Sequence, residues 1–321
     1  MTGPGHVERP RPSAGSGPLG VLVREMRLEF LPASVLPVFV GAALAFYRMG
    51  VWNWPLFVGC VFGVGAIHVG ANVLNDYFDH CSGGDAANRE FVRPFTGGTR
   101  LIQQGVLAPR TVLRMGLACL AAGVLVGIYL VFRVGPGVLW FMAPAAAAAL
   151  AYSVPRVGLA SLGLGEPAVA IVFGVLTVMG SYFVQTGVVS AESFWVSLPI
   201  AVLIVAVLFI NQFQDFRADR EVGKRNWVVR LGRRRSAYVY AFLMALSIAL
   251  LLGGAAAGLF PGFLAWAALA GVLAVPAVRR TLKEFEHPAA LAPANAATIA
   301  MHTVVSFAIG ALLVVFRWLG R

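Results

Sequence analysis

The feature that most constrains this chain is the recurrence of apolar runs close to twenty residues long, with almost no charge inside them. An α-helix rises ~1.5 Å per residue, so ~20 apolar residues cross the ~30 Å of a bilayer's hydrocarbon. About nine such runs can be drawn, over 31–48, 54–75, 111–132, 137–153, 165–186, 194–213, 236–258, 260–277 and 296–317. The fourth is short, and Phe260-Pro261-Gly262 makes a tight turn between the seventh and eighth. The runs lack strand-like alternation. In lipid each backbone group must find its partner within its own segment, so helices are expected rather than a barrel. The chain is 59% hydrophobic and 12% charged, against roughly half apolar and a quarter charged in soluble domains. The expected fold class is an all-α integral membrane protein, a bundle of about nine transmembrane helices. Gly59, Gly63 and Gly70, and the run Ala145 to Ala149, permit close helix contacts.

Charge then orients the bundle. The net charge of +11 would suggest nucleic acid in a soluble protein. Here about 21 of the 25 Lys and Arg fall in loops on one side of the expected bundle. The positive-inside rule makes that side cytoplasmic and argues against a nucleic-acid partner. An odd number of spans puts the N-terminus inside, in a plasma (inner) membrane. Residues 1–20, rich in Gly, Pro, Ser and Arg, read as a disordered cytosolic tail, and 21–321 as a single transmembrane domain. Cys60, Cys81 and Cys119 have no metal-type spacing, which excludes a disulfide framework or a zinc site.

All five aspartates fall in two places. Asp76, Asp79 and Asp85 follow the second run, and Asp215 and Asp219 follow the sixth. Residues four apart share a helix face. Asn72 and Asp76, Asn75 and Asp79, and the series Asn211, Asp215 and Asp219 would therefore form columns of oxygen ligands. Hard oxygens suit Mg²⁺, which keeps waters and bridges one or two carboxylates to substrate phosphates. Two facing columns would clamp a diphosphate between two ions. Arg89, Arg93 and Arg100 follow the first stretch, and Arg217, Arg220, Lys224 and Arg225 the second, as phosphate partners. Two long loops, about 76–110 and 215–235, would carry this chemistry. The turn-rich Phe95-Thr96-Gly97-Gly98-Thr99 would offer backbone NH groups to phosphate. Acids for metal, bases for phosphate and an apolar interior beside both point to a diphosphate with a lipid tail.

These residues resemble the UbiA-type intramembrane prenyltransferases, whose hallmark is NDxxD after span two and DxxxD after span six. The likeness runs from about residue 24 to 317. Gly83 stands where the commonest pattern has a third Asp; Asp85, two residues later, resembles the branch that prenylates 1,4-dihydroxy-2-naphthoate. The run Asp219 to Leu231 with Gly232, the Gly163-Leu164-Gly165-Glu166-Pro167 entry to span five, Arg27 before Leu31-Pro32, and Tyr152-Ser153-Val154-Pro155-Arg156 are similar to that branch. Gln212 and Phe213 depart from the usual second motif.

The resemblance implies a Mg²⁺-dependent transfer of a polyprenyl group from polyprenyl diphosphate to an aromatic acceptor. In the naphthoate branch this comes with decarboxylation, giving a menaquinone precursor. It implies metal ligands among Asn75, Asp79, Asp85, Asn211, Asp215 and Asp219, and catalytic roles for Asp76, Asp79, Asp215 and Asp219. Arg27, Arg93, Arg100, Lys224 and Arg225 are expected on the diphosphate. Asn72, Tyr77, Tyr152, Arg156, Glu166 and Tyr182 are expected to face the acceptor or the allylic cation. Other ring acceptors stay open: 4-hydroxybenzoate, another dihydroxynaphthoate isomer such as 1,4-dihydroxy-6-naphthoate, homogentisate or a chlorophyll precursor. A secondary transporter is the rival of another class, but it would favour carboxylates at the membrane midplane. The active site is expected to open to the cytoplasm, with the prenyl tail lying among membrane lipid.

Overall fold

The computed structural model describes residues 17–155 and 157–320. The tail read over 1–20 therefore lies outside the described residues up to 16, as does Arg156; Pro18, Leu19 and Gly20 open the first helix. The elements are α1 (Pro18–Glu25), α2 (Pro32–Met49), α3 (Trp54–Ser82), α4 (Gly84–Ala87), α5 (Pro109–Val134), α6 (Pro136–Ala151) and α7 (Leu159–Leu162). They continue as α8 (Gly165–Thr186), α9 (Ala191–Glu221), α10 (Trp227–Leu231), α11 (Arg233–Ala256), α12 (Gly262–Glu284) and α13 (Pro288–Trp318). Eight of these are long and apolar enough to cross a membrane, and the ninth expected run is the shorter α6. That matches the short fourth span read from the sequence.

Packing follows the small residues. α3 lies along α5. A Cβ on Gly70 would come within 3.0 Å of the Gly116 carbonyl oxygen, and one on Gly123 within 3.0 Å of that of Gly63. Without side chains at these positions the two backbones approach closely enough for dispersion to act along their length. A second set packs α2 against α8 and α13, and α9 against α11 and α13, around buried Leu44, Ile200, Phe209, Phe213, Tyr240 and Met301.

The two acidic stretches are not loops. α3 runs for 29 residues and α9 for 31, about 43 and 46 Å at ~1.5 Å per residue, longer than the ~30 Å hydrocarbon. Each helix carries its apolar part through the bundle and its acidic part beyond. Nothing in 76–82 or 215–221 breaks a helix, and the chain turns only at Gly83 (φ 80°) and Gly223 (φ 81°). The loops therefore start later than the sequence suggests, and both ladders stand on rigid helix ends.

Candidate active site

A cavity of about 280 Å³ opens between these two helix ends. Its outer wall is polar, with Asn72, Asn75, Asp79, Asp85, Asn88, Asn211, Asp215, Asp219, Lys224 and Asn226. Its depth is apolar, with Ile67, Val172, Phe173, Ile204 and Val207 among the lining residues.

The first ladder holds its expected geometry. Asn75 Nδ2 donates to Asp79 Oδ2 at 2.8 Å, the i to i+4 pairing of one helix face. Asn75 in turn accepts from Ser153 Oγ at 2.7 Å. On the second ladder, Asp215 Oδ1 accepts from Asn88 Nδ2 at 2.6 Å, and Asp219 Oδ2 from Asn226 Nδ2 at 2.8 Å. Asn211 Oδ1 accepts from Asn295 Nδ2 at 2.7 Å. The ladders meet at one cation. Lys224 Nζ lies 2.5 Å from Asp79 and 3.5 Å from Asp219. Burial works against its charge, but Asp79 and then Asp219 outweigh burial and hold the ammonium above its ordinary pKa. Asp85 is buried on α4, and desolvation first, then Asp79 and Asp76, push it up to about 7. Its Oδ2 accepts from Gln103 Nε2 at 2.6 Å.

These donors fit a hard divalent cation. The point where Lys224 sits already serves a positive charge shared by both helices. Among the described residues no group of three or more His, Cys, Asp or Glu forms a cage. The carboxylate and amide oxygens that line the cavity are the ligand type that suits Mg²⁺, which takes one or two carboxylates and leaves positions for water and phosphate oxygens.

Of the other expected site residues, Arg27 and Tyr152 line the cavity. Arg27 holds a left-handed backbone (φ 49°), donates from Nη2 to the Pro94 carbonyl at 3.3 Å and stands 3.9 Å from Asp76. Several residues are not brought to the cavity wall. Asp76 points under the first loop, where its Oδ2 accepts from Thr99 N at 2.8 Å and Gly98 (φ 59°) leaves no room for a Cβ. The same bond takes Thr99 N away from phosphate, although Phe95, Thr96, Gly97 and Gly98 do line the cavity. Arg100 spends its guanidinium on the carbonyls of Asp85 (2.6 Å) and Asn88 (3.2 Å). Arg93 lies by the Phe91 ring, 5.9 Å from its centroid, and exposed Arg225 bonds through its backbone to Ser161. Tyr77 packs on Phe78, among side chains between α3 and α5. Tyr182 is at the other end of the bundle, its Oη 3.8 Å from Met49 Sδ. Glu166 is sealed: it accepts from Gln212 Nε2 at 3.0 Å and Trp227 N at 2.8 Å, and so ties α10 to α8. Sequence reasoning gave no site role to Asn88, nor to Ser153 and Asn226 within the two stretches it singled out, because an amide or hydroxyl in a loop carries no periodic signal.

A bundle of membrane-length helices with paired Asn/Asp ladders at one end is a class of protein with known members. The chain matches the UbiA prenyltransferase family over residues 34–299 and belongs to that family. It is a multi-pass membrane prenyltransferase. It is 27% identical to 1,4-dihydroxy-2-naphthoate octaprenyltransferase of Bacillus subtilis, over 92% of this chain and 94% of that one. It is 31% identical to the Mycobacterium tuberculosis enzyme of the same name, over 69% and 73%. In fold it is similar to a UbiA homolog from Archaeoglobus fulgidus bound to DMAPP and Mg²⁺, with a TM-score of 0.65 and 14% identity over 92% of this chain and 99% of that one. A UbiA homolog from Aeropyrum pernix gives 0.64 and 18%, over 88% and 98%.

Proposed function

We propose that this chain transfers a polyprenyl group from polyprenyl diphosphate to 1,4-dihydroxy-2-naphthoate, with loss of carbon dioxide, giving a demethylmenaquinone. The observation that carries the reading is Lys224 held by both Asp79 and Asp219 at the polar mouth of a cavity that is apolar below. A diphosphate needs the mouth and an isoprenoid needs the depth. Asn75, Asp79, Asp215 and Asp219 would hold Mg²⁺, with Asp85 and Asn211 beside them; Mg²⁺ bound there supplies positive charge to the diphosphate oxygens. Lys224 and Arg27 face the same space and would neutralise charge as diphosphate leaves. Asn72 and the Tyr152 ring line the wall where the allylic cation would form, and an aromatic face stabilises a cation. The apolar walls keep water from that cation. The naphthoate acceptor draws its support from the relatives' names and from the Asp85 spacing. The site would open to the cytoplasmic face of the plasma membrane, because the basic loops gather at the ladder end.

The test is purified protein in detergent with a polyprenyl diphosphate and a panel of ring acceptors. Prenylated dihydroxynaphthoate, lost on adding EDTA and restored by Mg²⁺, is the expected result. Faster turnover on another ring would reassign the acceptor, and EDTA-resistant turnover would sink the metal assignment.

A further inference from the structure

One titratable side chain in the cavity has no part in the chemistry so far. His68 stands on α3, one turn below Asn72 and seven residues before Asn75, on the same stripe as Asn72, Asn75 and Asp79. Seven residues of helix put it ~10 Å deeper than Asn75. Its neighbours in the cavity are Ile67, Ala71 and Phe173, whose ring meets the imidazole edge-on at 5.3 Å between centroids. Nδ1 is hydrogen-bonded to Ser34 Oγ on α2. Nε2 makes no hydrogen bond to a described residue, yet it is not sealed, whereas both nitrogens of His302 on α13 are. An interhelical bond alone explains one nitrogen. It leaves the second nitrogen open to the cavity, beside Ile67, Ala71 and Phe173 and one helical turn below Asn72. A hydrogen-bonding atom of a substrate seated in the cavity would meet this nitrogen. The prenyl chain brings none to that depth; a hydroxylated ring does.

We propose that His68 is a catalytic residue for the ring acceptor: Nε2 binds a ring hydroxyl and takes its proton, while Ser34 fixes the imidazole. The role rests on the prenyl-transfer reading above. With Nδ1–H donated to Ser34 Oγ, Nε2 is left as the acceptor. As the hydroxyl proton moves to Nε2, the oxygen's electron pair enters the ring. A ring carbon forms the C–C bond to the prenyl C1 while the C1–O bond breaks, and its pair leaves on diphosphate. The attacked carbon then releases carbon dioxide, or a proton to the diphosphate, and the freed pair restores the aromatic ring. The imidazolium returns its proton to the ring oxygen. Ser34 acts only through His68 and is a positioning residue.

The experiment is steady-state kinetics of wild type, His68→Leu, His68→Gln and Ser34→Ala with dihydroxynaphthoate and with its two mono-O-methyl ethers. A rise in melting temperature with Mg²⁺ and pyrophosphate establishes that each variant is folded. Positioned proton transfer contributes about 10²–10⁴-fold, so His68→Leu should lose about 100-fold or more in kcat. Its KM for the ring should rise at least about tenfold, with donor KM unchanged. His68→Gln, which keeps a polar atom at the Nε2 position but takes no proton, should recover the ring's KM and not kcat. Ser34→Ala should lose about 10-fold in kcat. One of the two methyl ethers, having no proton to give, should erase the gap between wild type and His68→Leu. A His68→Leu enzyme as fast as an active wild type overturns this inference alone, as does an effect confined to donor KM or one that persists with both ethers. A wild type inert towards every hydroxylated ring overturns the function reading and this inference with it.

Discussion

The two acidic ladders look alike and are held in opposite ways. The α3 ladder is braced from within: Asn75 and Asp79 bond each other along one helix face. The α9 ladder has no such internal bond; Asp215 is held by Asn88 and Asn211 by Asn295. The loops are exchanged as well. Asn88 lies after the first ladder and holds the second, while Lys224 lies after the second and holds the first. Glu90 repeats the pattern, pairing with Arg217 at 3.0 Å and with Arg233 at 2.5 Å. The α3 ladder gains its Lys224 contact, and the α9 ladder its Asn88 contact, only when the other half of the chain is in place. The site is therefore a joint between halves, and its polar groups are satisfied only in the closed bundle.

If the ladders act as one clamp, breaking either should be equally severe. Asp79→Asn and Asp215→Asn should each lower kcat by about 10²–10³-fold, the scale for one preorganised charge-stabilising group. The double variant should be little worse than either single one, because residues that act as a unit are not additive. Multiplicative losses in a kinetic cycle would show two independent sites and break the comparison.

Lys224 sharpens it further. Removing one partner of a partly buried ion pair leaves the remaining charges unmatched, at a cost below the ~3–5 kcal/mol of a fully buried pair. Lys224→Gln should therefore lower the melting temperature of metal-free protein well below that of wild type. Mg²⁺ should restore more stability to the variant than it adds to wild type, because the ion takes the place of the missing ammonium. Equal Mg²⁺ shifts in both proteins would place the metal elsewhere. Asn88→Ala and Ser153→Ala remove the bonds that orient a ladder residue, and each should cost about 10–100-fold in activity. If the ladders differ as described, Asn88→Ala is the more damaging, because the α9 ladder has no internal bond to fall back on.

Much of this was legible in the chain itself, and unevenly so. The spans followed from run length, and the ladders from four-residue spacing, since both are set by the helix rise and turn alone. The short fourth run reappears as α6, and Asn75 and Asp79 bond at the expected spacing. What spacing did not carry is which face of a helix, or which loop atom, turns inward. Arg100 looked like a phosphate ligand because it is basic and near the motif, but its guanidinium is consumed by two loop carbonyls. Tyr182 sits on a span that touches the cavity, yet about two and a half turns beyond Phe173, the last residue of that span to line it. Asp76 belongs to the motif and points the other way, because its neighbours at 75 and 79 take the inward face. Such outcomes depend on partners brought from 12 to 133 residues away, which a local pattern does not contain.

The smallest expected effect concerns what lies over the first ladder and has no counterpart over the second. Glu25, at the end of α1, is fully buried against the first loop. Its Oε2 accepts from Thr99 Oγ1, its Oε1 has no partner, and Thr99 N donates to Asp76 Oδ2. Burial first, and the Asp76 carboxylate second, push Glu25 from 4.5 up to about 7. The folded state thus prefers the protonated form. The contribution of Glu25 to docking α1 on the loop is complete below pH 4.5 and is lost as pH rises through about 7. At ~1.4 kcal/mol per pKa unit its ceiling is about 3 kcal/mol. Hydrogen exchange over residues 92–100, corrected for intrinsic rate, should therefore speed up as pH rises from 4.5 to about 7 and level off above it. Glu25→Gln should exchange slowly at both pH values, because a neutral amide keeps the Thr99 bond and cannot ionise. The loop after the second ladder should show no such change, since Asp219, Asn226 and Lys224 hold it without α1. A pH response that survives Glu25→Gln, or one that appears equally in both loops, would remove α1 from the account of how the two halves differ.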